Sequence, residues 1–328
     1  MAPQPHISVI IPVHNGGQHL STCLDALLAS TFPSFEVIVV DDASTDESAE
    51  IARSKGIDVL QSPTQSGPAA ARNHGAKQAR GAILLFVDAD VVVQQDTVAK
   101  VAAIFDETPE VAAVFGSYDD TPAETNFCSQ YKNLYHRFVH QQSDPTASTF
   151  WAGCGAVRRE AFHAVGGFNP RQYPKPSIED IELGTRLRAR GDPILLEKEL
   201  QVKHLKRWTF MGLLRTDIFH RAVPWSKLML ENQALVNDLN LKTSDRMSAG
   251  LVGLSLAALF FSIFNLWLLV LIPLFFACIL VLNRKLYAFF ARQKGLIFTT
   301  LVFPMQLLYY LYSGVTFTLC WCAYHLNR

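Results

Sequence analysis

Two carboxylates one residue apart, Asp88 and Asp90, follow directly on the apolar run Ile83-Leu84-Leu85-Phe86-Val87. A short apolar run behind Gly81 reads as a buried strand, and in open α/β sheets ligands sit beyond the carboxyl ends of such strands. An extended i, i+2 spacing sets the two side chains on one side, where they supply the hard oxygen donors that Mg²⁺ or Mn²⁺ takes while it also bridges substrate phosphates. The other reading of an isolated Asp-x-Asp is an acidic turn, because Asp is common in turns for backbone reasons. Two further acidic pairs, Asp41-Asp42 and Glu179-Asp180, and the basic Arg72 are the remaining residues whose types could do chemistry.

The elements that must position them are legible from the hydrophobic period. Residues 8–12 (SVIIP) read as a first buried strand, and the loop His14-Asn15-Gly16-Gly17 leads into an amphipathic helix carrying Leu20, Leu24, Leu27 and Leu28. Residues 36–40 form a second strand ending at Asp41-Asp42, and Ser44 with Glu47 has capping-box spacing for the next helix. A third strand at 57–60, a small-residue helix at 67–81 with Arg72, Asn73 and Gly75, and the run 83–87 complete a βαβαβαβ unit, which implies a parallel sheet. Beyond Asp90 the pattern predicts a helix near 96–106, a strand at 111–115, and a polar aromatic stretch to Thr149. Gly153 to Gly155 should lead into a helix over 158–165 that stops at Gly166-Gly167. Glu179-Asp180 then opens a helix over 181–190 with Gly191 just past its end, and acids suit a helix amino terminus electrostatically.

Composition bounds the rest. The chain has 328 residues, 49% of them hydrophobic, and Lys+Arg equals Asp+Glu at 29 each, so no basic field points to nucleic acid. Mean hydropathy is +0.16, and the apolar excess is concentrated after residue 249. The chain therefore divides into a globular domain at 1–245 and a membrane domain at 246–328. Residues 249–282 would be about 50 Å long as one helix, too long for a perpendicular span, and Asn265 near the middle favours a hairpin of two short helices. One tilted helix is the alternative. A basic interfacial segment at 283–295 and a third span at about 296–323 follow. Positive-inside logic puts Arg284, Lys285, Arg292 and Lys294 in the cytosol, on the side of a globular domain that has no charged-then-apolar leader. The six cysteines have no paired metal-ligand spacing in the globular part and suggest a reducing compartment.

In order along the chain, Ser8-Val9-Ile10-Ile11-Pro12-Val13-His14-Asn15, Val40-Asp41-Asp42-Ala43-Ser44-Thr45-Asp46, Ala71-Arg72-Asn73-His74-Gly75, Asp88-Ala89-Asp90, Gly166-Gly167-Phe168 and Glu179-Asp180 resemble the motifs of the family 2 glycosyltransferases. The resemblance covers about residues 6–210. It implies an α/β GT-A fold, Rossmann-like, and inverting transfer from a nucleotide-diphosphate sugar. Pro12, His14, Asn15, Asp41, Asp42, Arg72 and Asp88 then fall to donor binding, Asp88 and Asp90 to the metal, Mg²⁺ or Mn²⁺, with His204 completing the metal site, and Asp180 to general-base work beside Glu179. Elementary chemistry agrees: strand-end carboxylates accept hydrogen bonds from ribose hydroxyls, and a guanidinium pairs with anionic oxygens. Helix capping is an equal reading for Asp42 and Ser44, a surface salt bridge the alternative for Arg72. His14 stands where the family often has Tyr, which leaves the base preference open. Arg207-Trp208 is similar to the Arg-Trp pair of processive polysaccharide synthases but lacks that group's preceding glutamine, so repeated addition is not implied.

The expected protein is a membrane-anchored, multi-pass enzyme with a cytosolic catalytic domain, which glycosylates a hydroxyl of a lipid or lipid-linked saccharide acceptor. The alternative is a polyprenyl-phosphate glycosyltransferase, whose acceptor phosphate is already ionised and needs no base; the Glu179-Asp180 pair argues against it. A catalytically idle sugar-nucleotide-binding or scaffold protein is the competitor of another class. No Gly-x-Gly-x-x-Gly follows the first strand, which argues against a nicotinamide-dependent dehydrogenase.

Overall fold

A computed structural model describes residues 4–232 and 242–326. The stretch 233–241 of the expected globular domain lies outside the described residues. The chain divides into two compact units, Met1–Trp208 and Thr209–Arg328.

The first unit alternates strand and helix from its start: β1 (Ile7–Val13), α1 (Gly17–Leu28), β2 (Phe35–Asp41), α2 (Ser48–Ser54), β3 (Asp58–Gln61), α3 (Pro68–Gln78) and β4 (Ile83–Val87). Strands β1, β2, β3 and β4 are parallel, as the period changes predict. Parallel strands are covered on both faces, and β1 divides its side chains accordingly. Val9 and Ile11 pack with Leu20, Leu24 and Leu27 of α1, while Ile10 packs with Ala69, Ala71 and Ala76 of α3. The small face of α3 is what lets it settle so close: a Cβ on Gly75 would stand 2.5 Å from Ile10 Cγ2.

The second half of the sheet is less regular: β5 (Val91–Val92), α4 (Thr97–Glu107), β6 (Ala113–Tyr118), α5 (Phe127–Gln141), β7 (Cys154–Arg158), α6 (Arg159–Ala164), α7 (Glu179–Arg190) and β8 (Ile194–His204). The eight strands order as β3-β2-β1-β4-β7-β6-β8-β5. Strand β7 is antiparallel to both β4 and β6 and sits between them. Three sequence expectations change here. Gly153 to Gly155 leads into β7 and only then a helix, because Cys-Gly-Ala-Val-Arg is too short to show a period. The polar aromatic stretch contains α5, whose buried face mixes Tyr131, Leu134, Tyr135 and Val139 with Ser129, Gln130, Asn133 and His140, so its apolar stripe is diluted by polar residues. Strand β8, interrupted by the consecutive charges Glu197-Lys198-Glu199, is recognisable only beside its partner β6. Nor does Ser44 cap α2: its Oγ accepts from Asn15 N–H at 2.9 Å, and the N-cap position is Glu47.

The second unit is helical. It contains α8 (Phe210–Arg215), a π-helical turn at Thr216–Ala222, α9 (Val223–Glu231), α10 (Thr243–Phe261), a 3₁₀ turn at Leu266–Val270, α11 (Leu271–Leu282) and α12 (Arg284–Leu326). The apolar stretch after residue 249 breaks between α10 and the 3₁₀ turn, where the Asn265 side chain accepts from Trp267 N–H at 3.1 Å. Asn283 links the three long helices: its Nδ2 donates to Ser248 Oγ at 2.9 Å, and Tyr310 Oη donates to its Oδ1 at 2.8 Å. Gly295, at φ 82°, interrupts α12 near its start. Among the described residues α12 alone is long and apolar enough to cross a membrane, by length and composition, while Leu266–Leu282 is a shorter apolar helix. The polar first turn of α10, Thr-Ser-Asp-Arg, leaves too few apolar residues for a full span.

Candidate active site

The loops at the carboxyl ends of β1, β2 and β4 bring most of the chemistry-bearing residues together, and a buried arginine joins them. Arg72 on α3 is only 6% exposed at its side chain; its Nη2 donates to Asp88 Oδ1 at 2.6 Å and its Nη1 to Glu179 Oε1 at 2.9 Å. The guanidinium also lies over the Phe168 ring, 5.5 Å from its centroid. Burial pulls the Arg72 pKa down, but Asp88, Glu179 and Asp180 outweigh it and hold the group charged, above its ordinary value. One side chain thus ties the end of β4 to the start of α7.

Asp88 and Asp90 turn to different partners. The chain leaves β4 in a turn, with Val91 N–H bonded to Asp88 O at 3.0 Å, so the alternation of an extended strand no longer applies. Asp88 faces Arg72, whereas Asp90 Oδ2 stands 3.4 Å from His204 Nε2. His204 is placed by the pairing of β5 with β8, in which it opposes Val91, and Leu205 N–H donates to Asp90 O at 2.8 Å. Its ring stacks on Tyr118 at 4.6 Å and 11°, and its Nδ1 bonds Asn133 Oδ1 at 2.7 Å. Burial, then Asp90 and Glu179, push the Asp88 carboxyl up against the pull of Arg72. Burial also pushes Asp90 up, but His204, Lys206 and His19 prevail and hold it below the usual range.

The Glu179-Asp180 pair occupies the first turn of α7. Both Glu179 oxygens are engaged: Oε1 by Arg72, Oε2 by Ser177 N–H at 2.9 Å. Asp180 is held differently, by the backbone alone. Its Oδ2 accepts from Ala152 N–H at 3.1 Å, at the entry to β7, and its Oδ1 from Ile181 N–H at 2.8 Å. Burial, followed by the neighbouring Glu179 charge, raises the Asp180 pKa to about 7. That value suits a group that must take a proton near neutral pH.

On the other side, Pro12 pairs with Val40 inside the sheet. Asn15 adopts φ 51° and accepts from Thr45 N–H at 2.8 Å, His14 Nδ1 meets Asp42 O at 2.8 Å, and Asp41 Oδ1 accepts from Ser44 N–H at 3.1 Å. Asp42 binds Ser66 Oγ at 2.8 Å and Gly67 N–H at 2.7 Å, so its carboxylate secures the loop that opens α3. The helix-capping reading of Asp42 thus becomes a hold on the loop before α3. Tyr118, Asn133 and the Ala152 N–H carry no signal in the sequence; they enter through β6, α5 and the loop before β7.

Asp90 and His204 fit a divalent cation. With Nδ1 turned to Asn133, His204 turns Nε2 toward Asp90 Oδ2, and a cation between the two would be held by the Nε2 lone pair and the carboxylate. Among the described residues no group of three or more His, Cys, Asp or Glu could hold a metal ion.

An open sheet, parallel in its first half and mixed in its second, with acids at the strand ends is a GT-A architecture, Rossmann-like in its first half. Residues 8–166 match the family model described as Glycosyl transferase family 2, and over that span the chain carries a family 2 glycosyltransferase domain. Glycosyltransferase AglE of Haloferax volcanii is 43% identical over 93 residues, 26% of this chain and 31% of the relative. Glycosyltransferase GlyG of Streptococcus pneumoniae is 30% identical over 126 residues, 37% and 42% of the two chains. This chain thus spans less than half the length of either curated relative. In fold it is similar to the mannosyltransferase PcManGT of Pyrobaculum calidifontis, solved with GDP-Man and Mn²⁺, with TM-score 0.58 and 18% identity over 97% of this chain and 88% of that one. The S. aureus TarS fragment 1–349, solved with UDP-GlcNAc, gives TM-score 0.56 and 21% identity over 73% and 69%.

Arg72→Met should destabilise the protein by about 3–5 kcal/mol, because it leaves the Glu179 carboxylate buried without its cation. Denaturant titration of the full chain in detergent measures this; an unchanged midpoint would show that the Arg72 bridge is dispensable to the fold.

Proposed function

We propose that the protein is a membrane-anchored, metal-dependent inverting glycosyltransferase that moves a sugar from a nucleotide-diphosphate donor to a hydroxyl of a lipid or lipid-linked saccharide acceptor. The observation that carries this reading is the pairing of a raised, backbone-held Asp180 with a buried Arg72 that links it, through Glu179, to Asp88. The likeness in fold to proteins solved with UDP-GlcNAc and with GDP-Man and Mn²⁺ supports the donor class.

In this reading Asp41, Asn15 and His14 border the nucleoside, and Arg72 keeps Asp88 oriented toward the donor. Asp90 and His204 would hold the cation, which when bound acts as a Lewis acid on the departing diphosphate. Asp180 accepts the proton of the acceptor hydroxyl while its oxygen forms the new bond to the anomeric carbon. The bond from that carbon to the diphosphate oxygen breaks on the opposite face, so a single displacement inverts the centre. Glu179 acts by position: with both oxygens engaged, its charge raises the Asp180 pKa. For the anchor, α12 has the length and apolarity to cross a membrane, and the hairpin of α10 and α11 adds further apolar surface. The basic residues flanking the start of α12 support a cytosolic catalytic unit in a multi-pass arrangement.

Asp180→Asn should lower kcat about 10²- to 10⁴-fold with little change in donor affinity, since the amide keeps the shape and loses the base. In the unmodified enzyme kcat/KM should fall about tenfold per pH unit below about 7, because only the ionised carboxylate can take the proton. Assays with UDP-, GDP- and dTDP-sugars against membrane lipid extract, with products identified by mass, test both points and name donor and acceptor. Near-normal turnover of Asp180→Asn on a polyprenyl phosphate would replace this mechanism with the base-free one. Chelation by EDTA, or Asp90→Ala, should abolish transfer and leave the fold intact, and full activity in EDTA would reject the metal role. A thiol probe at Gln293→Cys should react from the cytosolic side; labelling confined to the outside would overturn the proposed orientation.

A further inference from the structure

Asn133 lies on α5, 71 residues before His204 in the sequence, and is 1% exposed. Burying a primary amide is unfavourable unless its donors and acceptors are paired. Asn133 pairs poorly: its Oδ1 meets His204 Nδ1 at 2.7 Å, and its Nδ2 has no hydrogen-bond partner among the described residues. An apolar side chain of similar size would suit the packing at least as well. What such a side chain lacks is an acceptor aimed at the imidazole.

We infer that Asn133 is a positioning residue that holds His204 in the Nδ1–H tautomer, so that Nε2 presents its lone pair toward Asp90. The chemistry admits this assignment directly, since an amide oxygen only accepts and a nitrogen facing it at 2.7 Å must carry the proton. Two other contacts complete the cradle. Tyr118 stacks flat on the imidazole and limits its tilt, while the β5–β8 pairing fixes its height beside Asp90. Tyr118 and the backbone place the ring, Asn133 requires the hydrogen at Nδ1, and a cation held by Asp90 would take the Nε2 lone pair. The inference rests on the proposed cation site of Asp90 and His204, and partners of this kind that orient a ligating imidazole commonly change metal affinity 10- to 100-fold when removed.

The test uses the full chain in detergent and Mn²⁺ alone as the probe, with free Mn²⁺ counted by electron paramagnetic resonance. Asn133→Leu should raise the Mn²⁺ dissociation constant about 10- to 100-fold while the melting temperature stays the same or rises. A merely structural amide would instead lower the melting temperature and leave Mn²⁺ affinity alone. Asn133→Asp, which keeps an acceptor at the same place, should restore binding. Ring-¹⁵N spectra of His204 in the unmodified protein with Mg²⁺ should report a protonated Nδ1 and an unprotonated Nε2, a readout that does not depend on either variant folding. Unchanged Mn²⁺ affinity in Asn133→Leu, or an unprotonated Nδ1 in the unmodified protein, would overturn the inference while leaving the cation site standing. If the unmodified protein binds no Mn²⁺, the cation site and this inference fail together.

Discussion

The candidate site depends on one buried cation. Arg72 is removed from water on a helix of small residues and reaches acids from two distant parts of the chain, Asp88 at the end of β4 and Glu179 at the start of α7. Buried charges of this kind contribute little net stability, yet removing one member is severe, because its partners remain without solvent. The bridge therefore acts less as a source of stability than as a constraint on geometry. It sets the spacing between the end of the parallel half of the sheet and the helix that carries Asp180.

That constraint explains the division of labour among the acids. Glu179 is adjacent to Asp180 yet fully engaged, whereas Asp180 receives only backbone hydrogen bonds and sits high in pKa. Asp88 is likewise held by the guanidinium, which leaves Asp90 to meet His204. Asp88, Glu179 and Asp180 act on one guanidinium, and Asp90 acts on Asp88, so negative charge is in excess around Arg72. Raised and lowered carboxyl groups side by side are also what acid–base chemistry at neutral pH requires.

The helical unit follows different physics. In α10, α11 and α12 large apolar side chains such as Leu259, Leu274 and Ile297 are exposed, while Ser248 and Gln306, and Asn283 between α11 and α12, are buried. This inverts the usual arrangement for water and suits helices whose outer surface meets an apolar phase. The Asn283 hydrogen bonds to Ser248 and Tyr310 add directional contacts between these helices.

What the sequence by itself determined is whatever depends on neighbours along the chain. The short apolar runs of β1, β2 and β4, the glycine stops after α6 and α7, and the apolar excess after residue 249 are local, and each was legible. The acids of the candidate site were legible too, since strand ends and helix starts are where they occur. Their partners were decided by the tertiary structure. Strand β7 lies between β4 and β6 through pairing that its five residues do not announce, and α5 buries Ser129, Gln130 and Asn133 because other elements lie against them. Spacing pairs Asp88 with Asp90, and the tertiary structure gives them different partners, Arg72 and His204. Likewise, nothing within reach of Asn133 along the chain indicates His204. Backbone period is a property of a few successive residues, whereas a hydrogen bond across 71 residues exists only once the sheet has closed between them.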